Sequence, residues 1–186
     1  MSGSDGSQDW VAAALDALAE GGIDRVRVEV LAQRLGVTKG GFYRRYRDRR
    51  ALLDGVLETW VAGRLASIQR QTELSSGEAP AERLRGLIRL FAERLNAQGL
   101  SIELAVRQWA RSDPTAAAAV AQVDAVRQTS VAALYEGLGY VAAEARVRGV
   151  VFYAFIFGQG LLFLDLESAA REAMIDACAE ALIQPA

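Results

Sequence analysis

Histidine is absent from the 186 residues. That removes the commonest general base and the commonest zinc ligand. A single cysteine, Cys178, excludes an internal disulfide. It sits in an alanine-rich helical pattern, where it reads as a small buried hydrophobe rather than a nucleophile, and this suits a reducing cytoplasm. Proline occurs three times and strand signals are nearly missing. The longest apolar run, residues 150–164, is V-V-F-Y-A-F-I-F-G-Q-G-L-L-F-L. It contains Gln159 and falls short of the roughly 20 residues a bilayer requires, so it reads as a buried helix and no membrane is expected as a partner. The N-terminal M-S-G-S-D-G-S-Q is polar and acidic, unlike a signal peptide. Lysine occurs once, as Lys39, against twenty arginines, and no mechanism is read from that imbalance.

What the chain does have is apolar material, 52% of its residues, and a mean hydropathy of +0.12. That is ample for a buried core in one mid-sized domain, or in a small domain followed by a larger one. The net charge of −2 conceals an asymmetry. Between Arg25 and Arg50 there are nine basic residues against Glu29 and Asp48, a window of 9 − 2 = +7, so the remainder of the chain sums to −9. Thr38 to Arg50, T-K-G-G-F-Y-R-R-Y-R-D-R-R, is the densest part. A local basic patch on an acidic protein fits a polyanion docking through one face, or else a solvated charged loop.

Apolar residues recur at helical spacing, and the chain is expected to be all-α with about nine helices. The first spans about 8–20, with Val11, Ala14, Leu15 and Leu18 on one face, Ser7 or Asp9 able to cap its start and Gly21-Gly22 ending it. Residues 23–27 connect. The second spans 28–35, with Val28, Leu31, Ala32 and Leu35 on a stripe, and Gly36 stands where a left-handed cap is wanted. Val37 is expected to plug the core, and Thr38 to cap a third helix over 39–45. Helix, glycine turn and short helix follow at helix-turn-helix spacing. An ordinary αα-hairpin is the alternative, and the charge of the short helix argues against it. Asp48 caps a fourth helix, 49–74. Pro80 opens a fifth, which carries Leu84, Leu87, Ile88, Phe91 and Leu95 and is ended by Gln98-Gly99. A sixth covers about 101–111. Ser112-Asp113-Pro114 marks a boundary before a seventh, 114–138, and an eighth and a ninth cover 142–166 and 168–183. The eighth is apolar on nearly every face. It is covered either within one chain or by a second copy, in a dimer built from the last two helices.

The segment from Trp10 to Val56, densest in L-A-Q-R-L-G-V-T-K-G-G-F-Y-R-R-Y-R-D-R-R-A-L-L, resembles the TetR family of bacterial transcription regulators. W-A-R-S-D-P at the junction of helices six and seven also looks like that family's ligand-binding and dimerisation region. The resemblance implies a helix-turn-helix DNA-binding domain over 1–48 and a helical ligand-binding and dimerisation domain over 49–186. It implies no enzyme and no cofactor.

A recognition helix enters the major groove by its N-terminal end. The side-chain-free Gly40 and Gly41 let the backbone approach bases, while Thr38 and Lys39 offer N–H groups and charge to phosphate. By resemblance Tyr43 packs and bonds against DNA, and Arg44 and Arg45 replace backbone-contacting aromatic or histidine residues. They could grip phosphate, and Arg44 could reach guanine. Arg49 stands where the family has a lysine on phosphate. Phe42 and Tyr46 face inward as core. Two residues depart from the pattern. Arg27 replaces a phosphate-bonding threonine and caps a helix poorly. Glu29 occupies a base-reading position, where it could accept from cytosine or pair with Arg25 or Arg45.

The implied regulator is a dimeric repressor on a palindromic operator in double-stranded DNA, released by a small molecule seated among helices four to eight. Trp60, Phe91, Trp109, Phe152 and Phe155 are candidates for the pocket wall, although each reads more readily as plain core. The scarcity of charge there suggests an apolar or aromatic effector. The rival reading is a helical lipid or small-molecule carrier, or an enzyme with no DNA role. It leaves the +7 window without a purpose.

Overall fold

The computed structural model describes residues 6–93, 98–159 and 167–184. Among these every regular element is helical: α1 (Gly6–Gly21), a 3-10 turn (Ile23–Arg25), α2 (Val28–Arg34), α3 (Lys39–Tyr43), α4 (Arg49–Leu74), α5 (Pro80–Glu93), α6 (Gln98–Trp109), α7 (Pro114–Gly137), α8 (Ala142–Gly158) and α9 (Ser168–Leu182). They form two compact units, Met1–Ser67 with Gln98–Val123, and Ile68–Ala97 with Asp124–Ala186.

In the first unit α1 packs on α6 and α2, α2 packs on α3, and α6 also meets the 3-10 turn. The core is Trp10, Ala14, Leu18, Val26, Leu31, Phe42, Leu52, Val56 and Trp60, the inward stripes of successive helices. Gly36 takes φ +66°, a conformation that costs glycine little. There the Val37 N–H donates to the Ala32 carbonyl, 3.0 Å, and the Gly36 N–H to the Gln33 carbonyl, 3.2 Å. This is a Schellman closure of α2. Asp48 Oδ1 accepts from the Ala51 N–H at 2.9 Å and caps α4. Asp113 Oδ1 accepts from the N–H groups of Thr115 and Ala116, at 2.9 and 3.0 Å, and caps α7. Glu103, almost wholly buried, is flanked by Arg64 at 3.1 Å and Arg107 at 3.0 Å.

The second unit packs α5 against α8 and α9 around Leu84, Ile88, Tyr135, Phe152, Tyr153, Ile156 and Ile175. Burial pushes the Tyr135 phenol up to about 12, and its hydroxyl donates to the Leu182 carbonyl at 3.0 Å.

Several sequence expectations change here. Val37 plugs nothing: it is 47% exposed, because closing α2 spends its backbone while Phe42 fills the core. Thr38 stands at the N-cap of α3 in an extended conformation, yet its hydroxyl caps nothing. Regular α3 stops at Tyr43 rather than 45, although the Tyr46 N–H still reaches the Phe42 carbonyl at 3.0 Å. Gln98-Gly99 does not end α5. It lies in the first turn of α6, where the Gly99 carbonyl accepts from Arg64 Nη2 at 2.8 Å. Cys178 is only half-buried. Leu95 and residues 160–166, expected in the fifth and eighth helices, lie outside the described residues.

Candidate nucleic-acid interface

The basic window folds into α2, α3 and the turns around them. Phe42 holds this region in place. It is fully buried and meets Trp10 edge-on (centroids 5.2 Å), Tyr43 edge-on (5.1 Å) and Tyr46 in a stack (5.5 Å). With Phe42 inward, the helical period turns Gly40 and Arg44 outward, while Lys39 and Tyr43 stand to its sides. All four are exposed, as are Thr38 and Arg45, and Tyr43 keeps 61% of its surface open. The inward assignment of Phe42 therefore holds, and Tyr46 is half-buried.

The two glycines of α3 have no internal reason to be glycine. Neither has a positive φ. A Cβ at Gly40 would meet only Thr38 Oγ1 at 3.6 Å, and one at Gly41 would meet nothing nearer than 3.9 Å. Glycine inside a helix costs about 1 kcal/mol relative to alanine, so this five-residue helix gives up stability twice with no packing gain within the chain. The freed space is on the outside, where another molecule can approach the backbone. Beside it lies a cleft of about 810 Å3 lined by Asp9, Trp10, Leu35, Val37, Thr38, Gly41, Arg44 and Arg45.

The cations divide into two groups. Arg27 and Arg44 are exposed, and among the described residues neither makes an ion pair or a side-chain hydrogen bond. Arg27 is the N-cap residue of α2 but caps nothing with its side chain, as its chemistry predicts. Lys39, Arg34, Arg47 and Arg49 are engaged. Lys39 Nζ lies 2.7 Å from Glu29 Oε1, so Glu29 pairs with Lys39, a partner the sequence did not suggest. One helical turn of α2 aims Glu29 at the start of α3, a proximity the linear spacing hid. The ammonium holds the Glu29 carboxyl below its usual range. Arg34 meets Glu20 at 2.6 Å and Arg47 meets Asp48 at 2.9 Å. Arg49 donates from Nε to the Val26 carbonyl, 2.6 Å, and from Nη2 to the Ile23 carbonyl, 2.7 Å. The first residue of α4 thus clamps the turn before α2. Arg50 continues the link, with Nε 2.8 Å from Asp54 and Nη1 2.6 Å from Asp113.

The pocket candidates fall into separate units. Trp60 and Trp109 are buried in the first, and the indole N–H of Trp60 is buried with no acceptor. Phe91, Phe152 and Phe155 belong to the aromatic core of the second, where Phe91 meets Phe157 edge-on at 6.4 Å. Sequence reading passed over Gln159 as a site residue. Its two side-chain polar atoms are buried without a partner among the described residues, and the signal was there as the one amide in a fifteen-residue apolar run. Among the described residues no three His, Cys, Asp or Glu side chains cluster to hold a metal, and no helix is long and apolar enough to cross a membrane.

Residues 11–56 match the family model described as bacterial regulatory proteins, tetR family. Tetracycline repressor protein class A from transposon 1721 of Escherichia coli is 44% identical over 52 residues, which are 28% of this chain and 24% of that protein. The match therefore spans about a quarter of the curated relative. A crystal structure of a transcriptional regulator from Rhodococcus sp. Rha1 superposes with a TM-score of 0.73 at 22% identity, covering 95% of this chain and 93% of that one. The regulator FadR from Bacillus subtilis, solved in complex with stearoyl-CoA, superposes with a TM-score of 0.71 at 18% identity over 95% and 97% of the two chains. At those identities the likeness is one of fold.

Proposed function

We propose that this chain, whose residues 11–56 match the family model of bacterial regulatory proteins of the tetR family, is a dimeric, effector-released repressor of transcription. The observation that carries the reading is the outer face of α3. It has two glycines with open space where a Cβ would stand, beside an unpaired Arg44. That surface suits close approach of a helix to the major groove of duplex DNA.

Thr38, Lys39, Gly40, Gly41, Tyr43, Arg44 and Arg45 supply the α3 side of the contact, and Arg27 supplies a phosphate grip from the start of α2. Arg49 keeps Nη1 for phosphate while its other nitrogens hold the turn. Residues 1–48 are the DNA-reading part and 49–186 the part that dimerises and binds the effector.

A second copy is supported by the outward face of α8. Val147, Val150 and Val151 are each at least half exposed, and Ala154 continues the same row. Ala173, Ala177 and Ala181 form an exposed row on α9 that permits close helix approach. Two-fold pairing through these faces gives two recognition helices and a palindromic operator. Phe91, Phe152 and Phe155 of the second unit supply apolar lining for an effector, which acts only by favouring one spacing of the two α3 helices over another. Regulation takes place in the cytoplasm, and no step calls for a catalytic residue, metal or cofactor.

A mobility-shift titration against DNA from the promoter region of its own gene tests this, run at several salt concentrations. Binding should be sequence-specific, with log K falling against log salt at a slope of roughly −0.9 per phosphate neutralised. Absence of specific, salt-sensitive binding leaves the carrier or enzyme reading in its place.

A further inference from the structure

Gln159 follows the last residue of α8, and its backbone N–H donates to the Phe155 carbonyl at 3.0 Å. Its side chain breaks a strong rule. Oε1 and Nε2 are both sealed from solvent, and neither has a hydrogen-bond partner among the described residues. A carboxamide offers two N–H donors and two acceptor lone pairs, and buried polar groups in folded chains are nearly always paired. A side chain kept only for packing would be leucine or methionine here.

Its position sets the helix face it shares. Residue 159 is seven after Phe152, four after Phe155 and three after Ile156, so it extends the face of α8 that carries them. Phe152 and Ile156 are fully buried in the core of the second unit, and Phe155 packs against that core. A lone polar group aligned with aromatic side chains is the arrangement of a ligand site, where apolar walls supply affinity and one polar group fixes orientation.

We propose that Gln159 is the polar anchor of a buried ligand that carries an adjacent donor and acceptor (a neutral carboxamide, lactam or imide) on an apolar or aromatic body. A flat amide edge fills Oε1 and Nε2 at once. A carboxylate would use only Nε2, set its charge against Oε1 and forfeit its own hydration. This names the effector chemistry of the site and rests on the effector reading above.

Three probes on one scaffold test it by calorimetry on the full chain: 2-naphthamide, 2-naphthoate and 2-methylnaphthalene. Wild type should prefer the amide over the hydrocarbon and the carboxylate by at least roughly tenfold. Gln159→Leu should lose that preference and still bind 2-methylnaphthalene as wild type does. The ligand-free Gln159→Leu protein should melt no lower than wild type. Equal binding of the three probes, as when a water occupies Gln159, overturns the proposal. So does no binding at all, a preference that survives in Gln159→Leu, or a lowered melting temperature that shows the amide to be bonded within the fold. If the amide binds through Gln159 and leaves DNA affinity unchanged, the ligand contact stands and the effector reading fails.

Discussion

Lys39 Nζ lies 2.7 Å from Glu29 Oε1, which joins the first residue of α3 to the first turn of α2. The lysine that would meet phosphate is thus partly neutralised by the acid that stands where a base-reading residue is expected. Glu29 tempers the charge of the surface and orients Lys39. Glu29→Gln should free Lys39, strengthen binding to arbitrary DNA and narrow the gap between specific and non-specific sites. Filter-binding at two salt concentrations with operator and scrambled duplexes measures both. An unchanged ratio would leave Glu29 without this role.

Gly41→Ala separates folding from recognition. The added Cβ meets nothing closer than 3.9 Å and replaces a flexible residue inside a helix. The variant should be more stable by about 0.5–1 kcal/mol in urea unfolding. Its operator affinity should fall, because the methyl occupies the space the DNA needs. A gain in stability with affinity intact would show that the glycine serves neither purpose.

Arg44 and Arg27 are both unpaired among the described residues, yet they should behave differently. Arg44→Ala should cost about 1–3 kcal/mol of binding and relax discrimination at one operator position if its contact is to a base edge. Arg27→Ala should weaken all sequences alike and reduce the salt slope by about one phosphate. Competition with single-base operator variants distinguishes the two.

Asp113 gives an acid-dependent prediction. Its carboxyl is held below the ordinary 3.8, first by the Ala116 N–H and then by the Arg50 guanidinium 2.6 Å away. A depressed folded-state pKa contributes stability that is present above the unfolded value and lost as pH falls through the folded one. The melting temperature of wild type should therefore drop below about pH 3.8 more steeply than that of Asp113→Asn, which keeps a capping oxygen but has no charge to lose. Parallel acid slopes in calorimetry would count against the pair.

The proposed dimer face invites disruption. Val150→Asp places a charge in the exposed valine row of α8 and should leave a folded monomer that no longer binds a palindromic site. Sedimentation and helical circular dichroism report the two properties separately. A folded dimer that still binds would place the interface elsewhere.

The sequence by itself determined the helices, because apolar residues at helical spacing, Gly36 after α2 and Asp48 and Asp113 before α4 and α7 are local signals whose physics acts over one or two turns. It determined the burial of Phe42 and the concentration of charge between Arg25 and Arg50 for the same reason. Boundaries set by a competing partner were beyond it. Gly99 reads as a breaker until Arg64 is seen on its carbonyl, and Val37 reads as core until the closure of α2 is seen to leave it exposed. Only the tertiary structure decided which cations are free. Arg49 and Lys39 look like Arg44 in the sequence, but carbonyls twenty-three and twenty-six residues away hold the first and a carboxylate ten residues away holds the second. Charge is a property of composition, whereas its availability depends on which oxygens the folded chain brings within about 3 Å.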